Sequence, residues 1–488
     1  MAFRSIAPAG MALAGVAILA APHADAATKG GVDDLRLKVL EQELHDVQQQ
    51  LSQIRNVRPD DDAFNTLSDL KRSTSAQYDD LNGRLERLPR TGIENGRLTV
   101  ASADGAFSLS LRSLIQFDYG YFSQGRGPAG VDLNSGSNFR RAQFGLAGTA
   151  WKDWSYNFTY DFGGNGIEKN GYIYSAYIEY NGLKPFGARI GAFAPPAGIE
   201  DATGSADLIF PERPAVTDIA RNIAGSPGRE GISLFAQGDD YLVSVAYTGK
   251  KATDAATFDA QEAVVGRASW LAVKSSDFNW LVDANLSHVF KLADTVPGPN
   301  SPTAFSFSNG PELAVDSTRT VNTGAIDAKA VTEWGLETAA NYGPLYAQAG
   351  YFHFDVTRRT ALPDPDFSGW YALAAWSLTG ESRRYDAATA SFRGLKPAHS
   401  LGTDGGFGAF EMVARYSRID LDYQPSLQPA AGGITGGVQD VWAIGLNWYP
   451  TGGLRFALDY DNIQVNHITA PASDISAGAI ALRSQISF

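Results

Sequence analysis

The sequence predicts an all-β fold, a transmembrane antiparallel β-barrel of about sixteen strands with a short N-terminal periplasmic α-helical coiled coil, and three observations carry that prediction. First, from residue 107 onward, stretches of roughly ten residues alternate apolar or aromatic side chains with polar or tiny ones, and turn-forming residues separate them. The aromatics Trp154, Tyr156, Phe158, Tyr160 and Phe162 have only Ser155, Asn157, Thr159 and Asp161 between them. A period of two suits a strand with one face to lipid and one to water, and excludes an amphipathic helix. Second, the same pattern closes the sequence, with Leu482, Ser484, Ile486 and Phe488 on one face and Arg483, Gln485 and Ser487 on the other. Third, the chain is 44% hydrophobic with a mean hydropathy of -0.18, yet no run after the leader holds the roughly 18 apolar residues of a spanning helix. A soluble all-β chain could share this composition. The aromatic-out, polar-in alternation argues against it.

The elements follow in chain order. Residues 1–26 read as a secretory signal peptide: Arg4 supplies a positive start, Met11 to Ala21 is apolar but too short to span, and Ala24-Asp25-Ala26 fits a cleavage site. Residues 27–58 read as the coiled-coil helix, because Leu37, Leu40, Leu44, Val47, Leu51 and Ile54 form an a/d stripe with polar residues on the other faces. The stripe is under three heptads, so a single docked helix is the alternative to a parallel trimeric bundle. Pro59 ends the helix, and residues 59–105 are expected to be a linker, with a weakly patterned stretch from Phe64 to Leu88. The barrel occupies 106–488. Its final Phe488 on an amphipathic strand resembles the carboxyl-terminal signature of bacterial outer-membrane proteins, and export plus a barrel places the chain in the bacterial outer membrane. Cysteine is absent, which removes disulfides and thiolate metal sites. A net charge of -13 argues against nucleic acid as a partner.

Alternation gives sixteen spans: 107–122, 139–151, 154–163, 171–181, 186–194, 230–238, 240–249, 263–273, 278–290, 333–342, 344–357, 369–380, 408–424, 437–449, 453–464 and 480–488. With both barrel ends periplasmic, short turns such as Lys152-Asp153 and Tyr342-Gly343-Pro344 fall inside the cell envelope and the longer connections fall outside. Three connections exceed a simple loop: 195–229 and 291–332 outside, and 379–408 on the periplasmic side. Segments that long are expected to fold into the lumen and narrow it.

Strand parity sorts the basic residues. With Ala142, Phe144 and Leu146 toward lipid, Arg141 faces the lumen, and the same reasoning turns Arg112, Arg189, Arg267, Arg415, Arg455 and Arg483 inward. Arginine on the lipid face near mid-membrane costs roughly 2 to 4 kcal/mol, which enforces the parity. Arg140 falls on the outer face near a loop. One alternative is that these arginines only pair with inward Asp118, Asp161, Glu179, Asp283, Glu337, Glu411 and Asp459. The other is anion passage, for which a guanidinium that never deprotonates presents a fork to two oxygens at once.

Asn138-Phe139-Arg140-Arg141-Ala142, Arg189-Ile190-Gly191 to Pro195, Phe210-Pro211-Glu212-Arg213, Ser226-Pro227-Gly228-Arg229, Trp334-Gly335-Leu336-Glu337, Leu378-Thr379-Gly380-Glu381-Ser382-Arg383-Arg384-Tyr385, Ala414-Arg415-Tyr416-Ser417 and Gly445-Leu446-Asn447-Trp448-Tyr449 occur in that order. The ordered set resembles the phosphate-selective porin O and P family over nearly everything after residue 100. The resemblance implies a homotrimer of sixteen-stranded barrels, in which lumen arginines lead phosphate to a constriction built by inward-folded loops. It places Arg213, Arg221 and Arg229 as constriction or loop-supporting residues. One departure stands out: Ala194 occupies a position where the family usually carries lysine, which weakens the case for strict phosphate selectivity.

The expected function is an outer-membrane anion channel without catalysis, cofactor or metal. Its partners are inorganic phosphate or other small anions and the outer-membrane lipid, and Arg112, Arg141, Arg189, Arg213, Arg221, Arg229, Arg267 and Arg415 line the pathway. Alternatives are a general diffusion porin, a porin for larger anions such as polyphosphate, an outer-membrane hydrolase, or a barrel-anchored adhesin. A hydrolase needs nucleophile, base and orienter on one inward patch. Of six histidines, His23 goes with the leader, His45 lies in the coiled coil, and His288, His353, His399 and His467 fall on lipid-facing parity or in loops.

Overall fold

The computed structural model describes residues 61–86, 88–94, 96–128, 131–163, 171–254, 259–296, 302–402, 405–468 and 471–488. The leader and the 27–58 coiled coil lie outside the described residues. The chain forms two units, 1–83 and 84–488. Residues 61–83 of helix α1 (Asp61–Glu86) are the described part of the first. The Ser73 and Thr74 hydroxyls both donate back to the Leu70 carbonyl, at 2.9 and 2.6 Å, as short hydroxyl side chains do inside helices.

The stretch expected as a linker therefore has secondary structure of its own. It also holds a hairpin, β1 (Arg90–Glu94) and β2 (Arg97–Ala101), in the register Thr91↔Val100. Gly96 in its turn has φ 78°, a conformation glycine takes without a Cβ penalty. The segment Arg90-Thr91-Gly92-Ile93-Glu94 does not alternate apolar with polar, so periodicity gave it no signal.

The strands continue as β3 (Ser108–Arg126), β4 (Gly136–Ala150), β5 (Trp154–Asp161), β6 (Tyr172–Leu183), β7 (Phe186–Phe193), β8 (Arg229–Gln237), β9 (Tyr241–Lys251), β10 (Glu262–Lys274) and β11 (Phe278–Lys291). A loop pair, β12 (Ser308–Asn309) and β13 (Val321–Asn322), precedes β14 (Ala328–Tyr342), β15 (Leu345–Arg358) and β16 (Asp366–Ser377). A second loop pair, β17 (Tyr385–Asp386) and β18 (Ser391–Phe392), precedes β19 (Ala409–Tyr423), β20 (Ile434–Thr451), β21 (Leu454–Asn466) and β22 (Ile475–Ser487). Leaving out β1, β2 and the two loop pairs, sixteen strands among the described residues pair antiparallel with their neighbours, and β22 pairs back onto β3 with Arg483 opposite Asp118. The barrel is closed, so it has no free edge in the lipid. Each predicted span has its strand. Among the described residues no helix is long and apolar enough to cross a membrane.

On β5 the alternation is realised side by side: Phe158 is 48% exposed on the outer face, while Asn157 and Asp161 are buried at 5% and 1% on the inner. Part of the inner face is apolar instead. Helix α3 (Ala215–Ala224), carried by the loop after β7, lays Val216, Ile219, Ala220 and Ile223 into one cluster with Phe307 of the next long loop. Inward Leu281, Val289, Val331, Phe352, Phe354, Phe367 and Ile419 from the wall complete that cluster. The Phe307 ring packs tilted against Phe354 at 5.3 Å and edge-on against Phe367 at 5.4 Å. Each such side chain removed from water contributes about 1.5 to 3 kcal/mol, so this part of the lumen is filled by packing.

Candidate anion pathway in the lumen

The loop after β7 enters the barrel and is held by its carbonyl oxygens. Gln116 Nε2 donates to Ser205 O and Gln485 Nε2 to Ala206 O, both at 3.0 Å. Arg455 donates to the Leu208 and Ile209 carbonyls, and Asn447 Nδ2 to Ile209 O at 3.0 Å. Arg483 reaches Pro211 O and Arg415 reaches Glu212 O, each at 2.6 Å. A buried carbonyl without a donor is costly, and here inward polar side chains from one contiguous stretch of the wall, β19 through β22 and on to β3, supply the donors that a helix or sheet otherwise would.

The periplasmic connection between β16 and β19 enters from the other rim. Arg267 donates to the Thr389 and Ala390 carbonyls, both at 2.7 Å, and Arg383 forms a fork with Glu411 at 2.7 and 2.8 Å. The two inserted segments meet at Asp207, whose carboxylate accepts from Gly394 N at 2.8 Å and Arg393 at 3.2 Å. Arg383 Nη1 also donates to Asp207 O at 3.1 Å. A constriction therefore forms where an outer loop and a periplasmic loop are tied together.

The predicted arginines divide by partner. Arg189 pairs with Glu179 at 2.5 Å and lies 4.4 Å over the Tyr177 ring. Arg267 pairs with Asp283 at 2.8 Å, Arg415 with Glu312 at 2.6 Å, and Arg221 with Asp201 at 2.5 Å. Arg213 donates to the Glu200 and Thr203 carbonyls at 3.2 and 2.8 Å. Arg229 donates to the Gly225 and Gly249 carbonyls at 3.1 and 2.9 Å, tying the end of α3 to β9. Two are less engaged. Buried Arg141 donates to Gln116 Oε1 at 2.7 Å and makes no ion pair among the described residues. Half-buried Arg112 makes neither a hydrogen bond nor an ion pair among them.

Arg140 is a correction. Parity turned it outward, but the register steps from Gln116↔Arg141 to Phe117↔Phe139, leaving Arg140 as the extra residue of a β-bulge. It turns inward beside Arg141 and holds Glu212 with a two-point fork at 2.6 and 2.9 Å. Single-residue insertions reverse parity locally, and nothing in the sequence marks this one. Arg383 and Arg97 also went unassigned. Arg383 sits inside a motif already noticed, whereas Arg97 lies on β2, and its charge is disfavoured by burial and then by Arg112 and Arg393.

A cavity of about 420 Å³ opens between α3, the loop that carries Phe305 to Arg319, and the outer ends of β4 and β6. Arg140, Arg141, Arg213, Arg221, Lys251 and Arg319 line it together with Glu212, Asp218, Asp254, Glu312 and Asp316. That is six basic against five acidic groups, a small positive excess. The loop charges are strongly conditioned by this crowding. Burial alone would raise the Glu212 carboxyl, but Arg140, then Arg141 and Arg483, pull it down to about 2. Burial likewise opposes ionised Asp201, and Arg221 and Arg213 outweigh it and lower its pKa. Glu200 goes the other way: burial exceeds the pull of Arg213 and Arg415 and raises it. Arg213 is lowered by burial and by repulsion from Arg221, so an anion between them would relieve both.

A closed barrel with an apolar outer face, narrowed by loops folded in from both rims, is a diffusion channel of the bacterial outer membrane, a porin. Residues 107–488 match the family described as phosphate-selective porin O and P, and the chain belongs to that family. It is 28% identical to Porin O of Pseudomonas aeruginosa over 416 residues, which covers 80% of this chain and 91% of that protein. An uncharacterized protein of Caulobacter vibrioides is 23% identical over 73% of this chain and 68% of its own. Among solved structures, the anion-selective porin from Comamonas acidovorans superposes with a TM-score of 0.48 at 11% identity, over 78% of this chain and 100% of that one.

Proposed function

We propose that this porin is anion-selective and works as a homotrimer, passing phosphate or related oxyanions through the cavity that Arg140, Arg141, Arg213 and Arg221 share. The observation that carries the reading is Arg141: a buried guanidinium with no ion pair among the described residues, beside three other arginines, supplies the unspent positive charge an oxyanion can meet. Transport needs weak, repeated contacts rather than one deep site, and a cation held only by a neutral amide fits that need. A general diffusion porin is the second reading. It is favoured by the near balance of charges around the cavity and by the carboxylates already paired with Arg189, Arg267 and Arg415.

Neutralising Arg141 and Arg221 together decides between them. Each confined charge contributes about 1 to 4 kcal/mol to an anion at 4 Å, depending on local water. In planar bilayers, R141Q with R221Q should lower the anion-over-cation permeability ratio and weaken phosphate block of chloride current. An unchanged reversal potential in the double variant makes these arginines wall structure and leaves the general porin.

A further inference from the structure

Glu337 is an inward, buried carboxylate on β14 whose strand partner is another carboxylate, Asp283. Among the described residues it makes no ion pair with any arginine, lysine or histidine. Its oxygens instead accept the backbone N–H groups of Ile199 and, at 3.4 Å, Glu200, together with the Tyr371 hydroxyl. Gln348, which also bonds Tyr371, donates to Glu200 Oε2 at 3.0 Å, so the wall grips one short loop turn, α2 (Ile199–Ala202), at several points. The preceding Gly198 sits at φ 99°, and a Cβ there would overlap Glu337 Oε2. The close approach thus depends on both residues.

That turn is also where two cavity arginines take hold. Arg213 donates to the carbonyls of Glu200 and Thr203, and Arg221 pairs with Asp201. We infer that Glu337, with Gly198 making room for it, is the positioning residue of the constriction, setting where Arg213 and Arg221 stand without lining the cavity itself. The inference rests on the anion-pathway reading for its meaning, but the loop position it describes can be read separately.

The full-length porin in planar bilayers tests it through two variants that act from opposite sides of the contact, E337A and G198A. Loss of one buried hydrogen-bonded anchor should shift the phosphate concentration for half-block of chloride current upward by roughly tenfold and make single-channel current noisier. Because both variants break one contact, E337A with G198A should shift no further than either alone. E337Q, which keeps one acceptor oxygen, should recover most of the wild-type pattern. The heat-modifiable folded band on gels should persist throughout, separating a moved loop from a lost barrel. Should E337A unfold, G198A still reports on the same contact. Unchanged conductance, noise and block in G198A, or additive shifts in the double variant, overturn the positioning role. A wild-type channel with no phosphate block would instead defeat the anion reading, and chloride conductance and noise would still judge the anchor.

Discussion

A guanidinium offers five N–H donors in a fixed fork, and in this lumen most of those forks are filled by loop carbonyls or wall carboxylates. Glu212 shows what such crowding does to a partner. Its carboxyl is held at about 2, well under the ordinary 4.5, because Arg140, Arg141 and Arg483 outweigh the penalty of burial. A depressed folded-state pKa contributes stability that is complete above the unfolded value and is lost as pH falls through the folded one. E212Q should therefore lower the thermal midpoint of the folded barrel by a constant amount from pH 8 to pH 5, with the difference shrinking only between about 4.5 and about 2. A difference that has already vanished at pH 5 would show that the fork with Arg140 is not what holds the carboxylate. Parity made the inward direction of Arg141 and Arg415 legible, because lipid forbids the alternative. It could not reveal their partners, since a carbonyl of residue 212 meeting Arg415 is set by a loop path that no periodicity encodes.

Helix α3 carries the Arg221–Asp201 pair on one side and is fitted to the wall by shape on the other. Val216 is wholly buried and packs where Gly369 of β16 leaves space, and Ile219 and Ile223 continue the same face. Placing a carboxylate there leaves an unpaired charge in an apolar cluster, at a cost of several kcal/mol. V216D should expel the helix from the wall, raise single-channel conductance and blunt anion preference, while the strand ladders keep the barrel folded. Wild-type conductance in a folded V216D porin would mean that α3 does not bound the aqueous path. This element explains why the apolar part of the lumen was illegible. Phe352, Phe354 and Val356 face inward, and on a strand whose inner face meets a plug the two-residue alternation of polar and apolar fades. Sixteen strands were legible because each shows an apolar outer face that alternates with its inner one. The hairpin β1–β2 was missed because each strand is only five residues long and β1 does not alternate.

Closure is a property of the whole molecule, and it is completed at one residue pair. Phe488 N donates to Ser113 O at 3.1 Å and Ser113 N donates to Phe488 O at 2.9 Å, extending the β22–β3 ladder in which Arg483 also pairs with Asp118 at 2.6 Å. Every other strand finds both neighbours through connections in the chain. Only the seam between β3 and β22 joins segments more than three hundred residues apart, so its bonds form last and decide whether the edges remain open to lipid or to another chain. Removing Phe488 deletes two ladder bonds, about 1 to 3 kcal/mol of direct stability, at the one place where an unclosed edge leaves backbone groups unpaired in the membrane. The expected result is a fall in properly inserted barrel at the cell surface far larger than that from deleting exposed Leu401 in the periplasmic connection, together with a lower temperature for loss of the folded band. If the Phe488 deletion reaches the surface as well as the Leu401 deletion does, the seam is closed by the interior of β22 alone, and the final pair adds nothing to assembly.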